Sequence, residues 1–229
     1  MSLYAIGDLH LCLGANKPMD VFGGRWEGYM DKLREGLSVI QPADTTVLLG
    51  DLSWALGIEQ AEKDFAFIHA IPGRKIILKG NHDYWWTTAS KFYKFCAERG
   101  WDDMFILNNN CYYYGETALC GTRGWFYEQD QEGTHDEKIF RRELGRLETS
   151  LKAAQACEKL CFLHYPPRYR GYECPEILEL LRRYGVKQCF YGHLHAESMR
   201  LAIQGSVGGC EFRLLSADYV NFKPQKLRD

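Results

Sequence analysis

Five short, almost unbroken apolar runs, at 3–6, 45–49, 75–78, 159–163 and 188–191, restrict the fold more than any other feature of this chain. Runs of that length without polar alternation describe strands buried on both faces, as in parallel sheets covered by helices. Between them, Met30, Leu33, Leu37 and Ile40 share one helical stripe, and Phe140, Leu144, Leu147, Leu151 and Ala154 share another at alternating steps of four and three. Alternation of the two periods predicts βαβ units and a mostly parallel sheet. Residues 111–120, around Gly115-Glu116, read instead as a hairpin, and 201–204 with 209–215 as a second. Antiparallel additions, in a second sheet, are therefore expected. With no repeat, low-complexity tract or linker to divide it, the chain of 229 residues is expected to form one domain, 1–229.

Clusters of acids and histidines recur along the same frame. Asp8-Leu9-His10, Gly50-Asp51, Gly80-Asn81-His82-Asp83, His164 and Gly192-His193-Leu194-His195 hold five of the seven histidines, and most of them stand just after an apolar run. In open α/β sheets ligands collect beyond the carboxyl ends of the strands, so a parallel sheet would bring these clusters together. Asp8 and His10 are two apart, as are His193 and His195; in an extended segment such pairs face one way. Carboxylates, an amide oxygen and imidazoles suit a divalent first-row metal such as Mn, Fe, Co, Ni or Zn, and none of the nine cysteines lies in the clusters. Asp8, His10, Asp51, Asn81, His164, His193 and His195 are too many ligands for one open catalytic ion and about right for two. Asp51 is the natural bridge, since one carboxylate can serve both ions.

The ordered motifs resemble those of the calcineurin-like metallophosphoesterase superfamily, which run Asp-x-His, Gly-Asp, Gly-Asn-His-Asp/Glu, His, Gly-His-x-His. The match extends from Asp8 to His195. It implies a four-layer α/β/β/α sandwich of mixed sheets flanked by helices, with a dinuclear site at the sheet edge. By motif, Asp8, His10 and His195 would hold one metal and Asn81, His164 and His193 the other, with Asp51 between them. His82 would be the general acid that protonates the leaving oxygen, and Asp83 would orient its ring. A carboxylate partner fixes an imidazole's tautomer and favours imidazolium, which fits that role. The implied reaction is hydrolysis of a phosphomonoester or phosphodiester by a metal-bridging hydroxide, with two divalent ions (Mn, Fe or Zn) as cofactors. The protein Ser/Thr phosphatase branch carries Gly-Asp-x-Val-Asp-Arg-Gly and Gly-Asn-His-Glu. Here Gly50-Asp51-Leu52-Ser53-Trp54 and Asp83 stand in those places, which is closer to the smaller phosphodiesterase-like members. The competing reading is a binding or scaffold protein that keeps the fold without turnover.

Other features bound the setting. A net charge of −2 gives no electrostatic reason to expect nucleic acid, which leaves a small-molecule phosphate ester as the expected partner. The nine cysteines form no Cys-x-x-Cys pair, which favours reduced thiols. The run into the first strand by Leu3 and the lack of any bilayer-length apolar stretch lead to the expectation of a cytoplasmic protein that does not enter membranes. The long loops 12–28 and 123–136 are candidate rims of the site, the second carrying Trp125, Phe126 and Tyr127. Within or near them Lys17, Arg25, Arg168 and Arg170 are equally readable as phosphate contacts or solvated surface, His69 reads as structural, and His135 stays open. Tyr84-Trp85-Trp86 reads as packing behind or beside the site, with a ring wall for an aryl group as the alternative.

Overall fold

The computed structural model describes residues 1–126, 134–155, 157–169 and 171–229. Tyr127, Arg170 and the side chain of His135 lie outside the described residues. In chain order the elements are β1 (Leu3–Ile6), α1 (Tyr29–Leu37), β2 (Thr45–Leu48), α2 (Glu62–Ala70), β3 (Arg74–Ile77), α3 (Ala89–Ala97), β4 (Met104–Ile106), β5 (Cys111–Tyr114) and β6 (Thr117–Thr122). There follow α4 (Thr134–Ala153), β7 (Lys159–Leu163), β8 (Arg168–Tyr169), β9 (Tyr172–Glu173), α5 (Pro175–Arg183), β10 (Gln188–Tyr191), β11 (Gly205–Val207), β12 (Cys210–Leu214) and β13 (Gln225–Arg228). They form two compact units, one of Met1–Ile106 with Leu215–Asp229 and one of Leu107–Leu214.

The first unit is a five-stranded sheet in the order β13-β1-β2-β3-β4. β1 to β4 run parallel with helices between them, as the alternating periods predict, and β13 closes one edge antiparallel to β1. The stripe on α1 buries Leu33 and Leu37, and these pack with Phe65 and Ile68 of α2, Phe92 of α3 and the strand residues Ile6, Leu48 and Ile77. Burying each such side chain contributes roughly 1.5–3 kcal/mol, which is what fixes the strand edges against the helices. A second lock is ionic. The buried Lys75 donates to the carbonyls of Ile71 (2.6 Å) and Gly73 (2.9 Å) and pairs with Asp103, tying β3 to the turns at its start.

The second unit is a six-stranded sheet in the order β11-β12-β10-β7-β6-β5. Its four central strands are parallel, and β5 and β11 are antiparallel edges. The expected hairpin around Gly115-Glu116 is β5–β6. The second hairpin is corrected in register: its first strand is Gly205–Val207, because residues up to Leu201 belong to a 3-10 helix, Ala196–Leu201. The long stripe on α4 buries Phe140, Leu147 and Leu151, and Ala154 just past its end, with Ile177 and Leu181 of α5. Both sheets are thus mixed and flanked by helices. No described helix is long and apolar enough to cross a membrane.

Candidate metal centre

Ile6, Leu48 and Ile77 are in register across β1, β2 and β3, so the segments carrying Asp8, Asp51 and Asn81 leave one edge of the first sheet together. The segments after β1 and β2 stay zipped beyond the sheet: Asp8 N–H donates to Gly50 O, His10 N–H to Asp51 O and Leu11 N–H to Leu52 O, each at 2.9 Å. The side chains are not aimed by an extended backbone. Asp8 (φ 60°), His10 (φ 46°) and Asp51 (φ 51°) are all left-handed, which corrects the expectation that Asp8 and His10 face one way because they sit two apart on a strand. Four of the eight non-glycine residues with positive φ among the described residues are expected ligands, the fourth being His193 (φ 73°). Each costs about 1–3 kcal/mol, and such strain gathers where side-chain placement matters more than stability.

The result is a tight donor cluster. Asp8, which is fully buried, offers a ligand atom within 4.8 Å of one on His10 and of one on Asp51. His10 Nε2 stands 3.8 Å from Asp51 Oδ2. That is too far for a hydrogen bond, and it is the spacing of two donors on one ion at metal–ligand distances of about 2.0–2.2 Å. Two carboxylates this close and this buried repel unless a cation lies between them. The chemistry of the donors therefore fits a divalent ion.

Asp51 is held from behind. Its Oδ1 accepts from His82 N–H at 2.8 Å and packs against Gly80, where a Cβ would stand 2.0 Å from that oxygen. Only glycine fits at position 80. Gly50 (φ 89°) faces the same crossing, where a Cβ would meet Gly80 N at 2.5 Å.

Asp83 does something other than orient the His82 ring. Its carboxylate is buried and accepts from Asp51 N–H (2.8 Å), Leu52 N–H (2.8 Å), Ser53 N–H (3.3 Å), Gly80 N–H (2.7 Å) and the Trp85 indole (2.8 Å). Five donors exhaust its lone pairs, so none remains for an imidazole. Burial pushes its pKa up and the N–H donors pull it back, with burial the larger effect. Its place is between the loops after β2 and β3, fixing both.

The His82 ring is positioned by aromatics instead. Trp54 lies 4.4 Å from it and Tyr84 6.2 Å, and Trp54 also stacks on His10 at 4.9 Å and 20°. Trp26, buried from the 12–28 loop, closes edge-on to His10 at 5.7 Å. Trp54 is the residue that sequence reasoning missed as part of the site. Its only signal was a tryptophan three positions after a candidate metal ligand. The loop that carries Trp26 is pinned by α2: Asp64 accepts from Leu13 N–H at 2.7 Å and from the Ser53 hydroxyl, joining the segments after β1 and β2.

The second unit arranges its histidines by the same rule. His164 follows β7 and His193 follows β10, two neighbouring parallel strands, and Gly192 N–H donates to His164 O at 3.1 Å. The two rings meet edge-on at 5.1 Å. Two imidazoles on one tetrahedral ion, at a metal–nitrogen distance of about 2.0–2.1 Å, have ring centres about 5 Å apart. His195 caps the 3-10 helix Ala196–Leu201, its N–H donating to the Ser198 hydroxyl at 2.9 Å.

The remaining flagged residues find structural partners. His69 bonds Asp103 at 3.0 Å and stacks on Trp101, as the structural reading expects. Arg25 donates to Asp218 O at 3.0 Å, and Arg168 stands 3.5 Å from Glu173 across the β8–β9 hairpin. Trp85 is core, packed edge-on to Phe65 at 4.7 Å, while Tyr84 is exposed. Phe126 belongs to the core of the second unit rather than to a rim.

The family model for calcineurin-like phosphoesterases matches residues 1–197. A search of curated proteins returns no match. Among solved structures, a protein of unknown function, AQ665 from Aquifex aeolicus, is 17% identical over 98% of this chain and 95% of that one, with a TM-score of 0.56. Phosphopantetheinyl hydrolase (PptH) from Mycobacterium tuberculosis is 14% identical over 99% and 95%, with a TM-score of 0.58. TT1561 of Thermus thermophilus is 12% identical over 99% and 97%, with a TM-score of 0.57. At such identities these likenesses speak for the fold alone.

Proposed function

The chain belongs to the calcineurin-like phosphoesterase family, hydrolases of phosphate esters, and from that premise we propose a metal-dependent phosphohydrolase that acts on a small-molecule phosphomonoester or phosphodiester in the cytoplasm. The observation that carries this reading is the buried Asp8, His10 and Asp51 cluster, built on three left-handed residues at the carboxyl edge of a parallel sheet. In the proposed site Asp8, His10 and His195 hold one ion, Asn81, His164 and His193 hold another, and Asp51 serves both. Two divalent ions, when bound, would polarise phosphoryl oxygens, lower the pKa of water and neutralise charge that builds up during in-line displacement.

The chain's own groups then have separate tasks. His82 donates a proton to the leaving oxygen, its backbone fixed by Asp51 and its ring by Trp54. Asp83 holds the backbone of residues 51–53 and 80, so that Asp51 and His82 keep their relative placement without reorganising during turnover. Gly80 leaves the space that the Asp51 carboxylate fills. No serine or cysteine nucleophile is required by this scheme.

The test is hydrolysis of p-nitrophenyl phosphate and bis(p-nitrophenyl) phosphate by the purified chain with added Mn²⁺, Fe²⁺ or Zn²⁺. The proposal expects activity with at least one ion and its loss to a chelator. Metal binding without turnover of any phosphate ester would replace it with the scaffold reading.

A further inference from the structure

Lys17 lies on the 12–28 loop, exposed, with its ammonium 3.2 Å from the centre of the Trp54 ring. It pairs with no carboxylate of the described residues. The other basic groups of that loop region are spent on backbone: Arg25 donates to Asp218 O and Lys32 to Arg25 O, at 3.0 and 2.9 Å. Trp54 is itself the platform for His82, at 4.4 Å between ring centres, so the ammonium stands no more than about 8 Å from the His82 ring. A Lys side chain spans most of that distance by rotating about its own stem.

The resting contact is weak and the alternative is strong. A cation over an indole at an exposed position contributes about 0.5–1 kcal/mol, whereas a charge-assisted bond to a phosphate oxygen is roughly twice as strong as a neutral one. An ammonium is also a compact point charge, whose attraction scales with the charge of the group it meets. A phosphomonoester presents two negative charges near neutral pH and a diester one.

We propose that Lys17 leaves Trp54 to bind a non-bridging phosphoryl oxygen beside His82 and thereby selects phosphomonoesters over phosphodiesters. This assignment rests on the phosphohydrolase reading above and narrows its substrate class.

The experiment compares wild type, Lys17→Met and Lys17→Arg on p-nitrophenyl phosphate and bis(p-nitrophenyl) phosphate at one metal loading. The methionine keeps the apolar stem over Trp54 and removes the charge. The monoester-to-diester ratio of kcat/KM falls about tenfold in Lys17→Met, chiefly through KM for the monoester, and is largely kept in Lys17→Arg. An unchanged ratio overturns the assignment. If wild type turns over neither ester, the phosphohydrolase reading fails and Lys17 is judged by binding alone, with inorganic phosphate titrated against tryptophan emission. Binding about tenfold weaker in Lys17→Met supports the assignment, and equal binding in the two proteins overturns it.

Discussion

Replacing Gly80 by Ala sets a methyl group where the Asp51 carboxylate already stands. The added Cβ would lie 2.0 Å from Asp51 Oδ1, 2.3 Å from Asp51 N and 2.7 Å from Asp51 Cγ. Since a Cβ does not approach a heavy atom closer than 3.0 Å, the crossing must open by about 1 Å. Neither side yields cheaply: Asp51 N–H and Gly80 N–H both donate to Asp83 Oδ2, at 2.8 and 2.7 Å, and Asp51 Oδ1 holds His82 N–H. Overpacking costs about 1–3 kcal/mol, and a hydrogen bond to a charged group is worth about 1.5–3 kcal/mol, so the variant should lose about 3 kcal/mol or more. Displacing Asp51 should also weaken metal binding by about 10–100-fold, the usual effect of disturbing a ligand's support. The backbone at Gly80 is not left-handed, so the effect is steric and the φ penalty of alanine does not enter. Gly145 supplies the control: it lies within α4 with nothing within 4 Å of the place a Cβ would take, and Gly145→Ala should gain about 0.5–1 kcal/mol. Urea denaturation reads the stability and calorimetry with Mn²⁺ reads the affinity. If Gly80→Ala keeps wild-type stability and metal affinity, the packing account of Asp51 is wrong.

Three further outcomes are expected. His82→Ala retains metal content by elemental analysis and lowers kcat by about 10²–10⁴, and loss of metal in that variant would make His82 a ligand rather than an acid. Lys75→Met removes the ion pair with Asp103, which keeps only its bond to His69, and takes the ammonium donor from the Ile71 and Gly73 carbonyls; it lowers unfolding free energy by about 3 kcal/mol in urea, so a neutral result would remove the proposed lock on β3. Burial raises the pKa of Asp64 against the pull of its hydrogen bonds to Ser53, Leu13 and Gly14. A carboxyl with a raised folded pKa favours folding below its unfolded value of about 4, and that advantage fades as the pH climbs through the folded value. Wild type measured against Asp64→Asn should therefore lose relative stability as pH rises above about 4, and a difference that grows with pH contradicts the burial account.

Much of the frame was readable because burial on both faces leaves a plain signature. β1, β7 and β10 fall where their apolar runs place them, β2 ends one residue early and β3 is shifted by one residue. β13, Gln-Lys-Leu-Arg, was illegible because an edge strand half open to water needs no apolar run, and its role is set by pairing with β1 from the far end of the chain. The same return places Leu215–Asp229 in one compact unit with Met1–Ile106, and no change of composition marks where either unit begins. At the site, the parallel sheet brings the segments of Asp8, His10 and Asp51 to one edge as expected, but left-handed backbone and not strand alternation sets how Asp8 and His10 are aimed. Asp83 was misjudged because four of its five partners are backbone N–H groups, which carry no sequence pattern. Trp54 meets His82 and Lys17 by ring contacts between separate loops, a relation that only the fold creates.

The most direct test is metal stoichiometry by equilibrium dialysis against Mn²⁺ and elemental analysis, for wild type and Asp51→Asn side by side. The proposed dinuclear site predicts two ions per wild-type chain and fewer in the variant, because Asp51 serves both. A wild-type chain that takes up no ion, or an Asp51→Asn chain that binds as many as wild type, would contradict it.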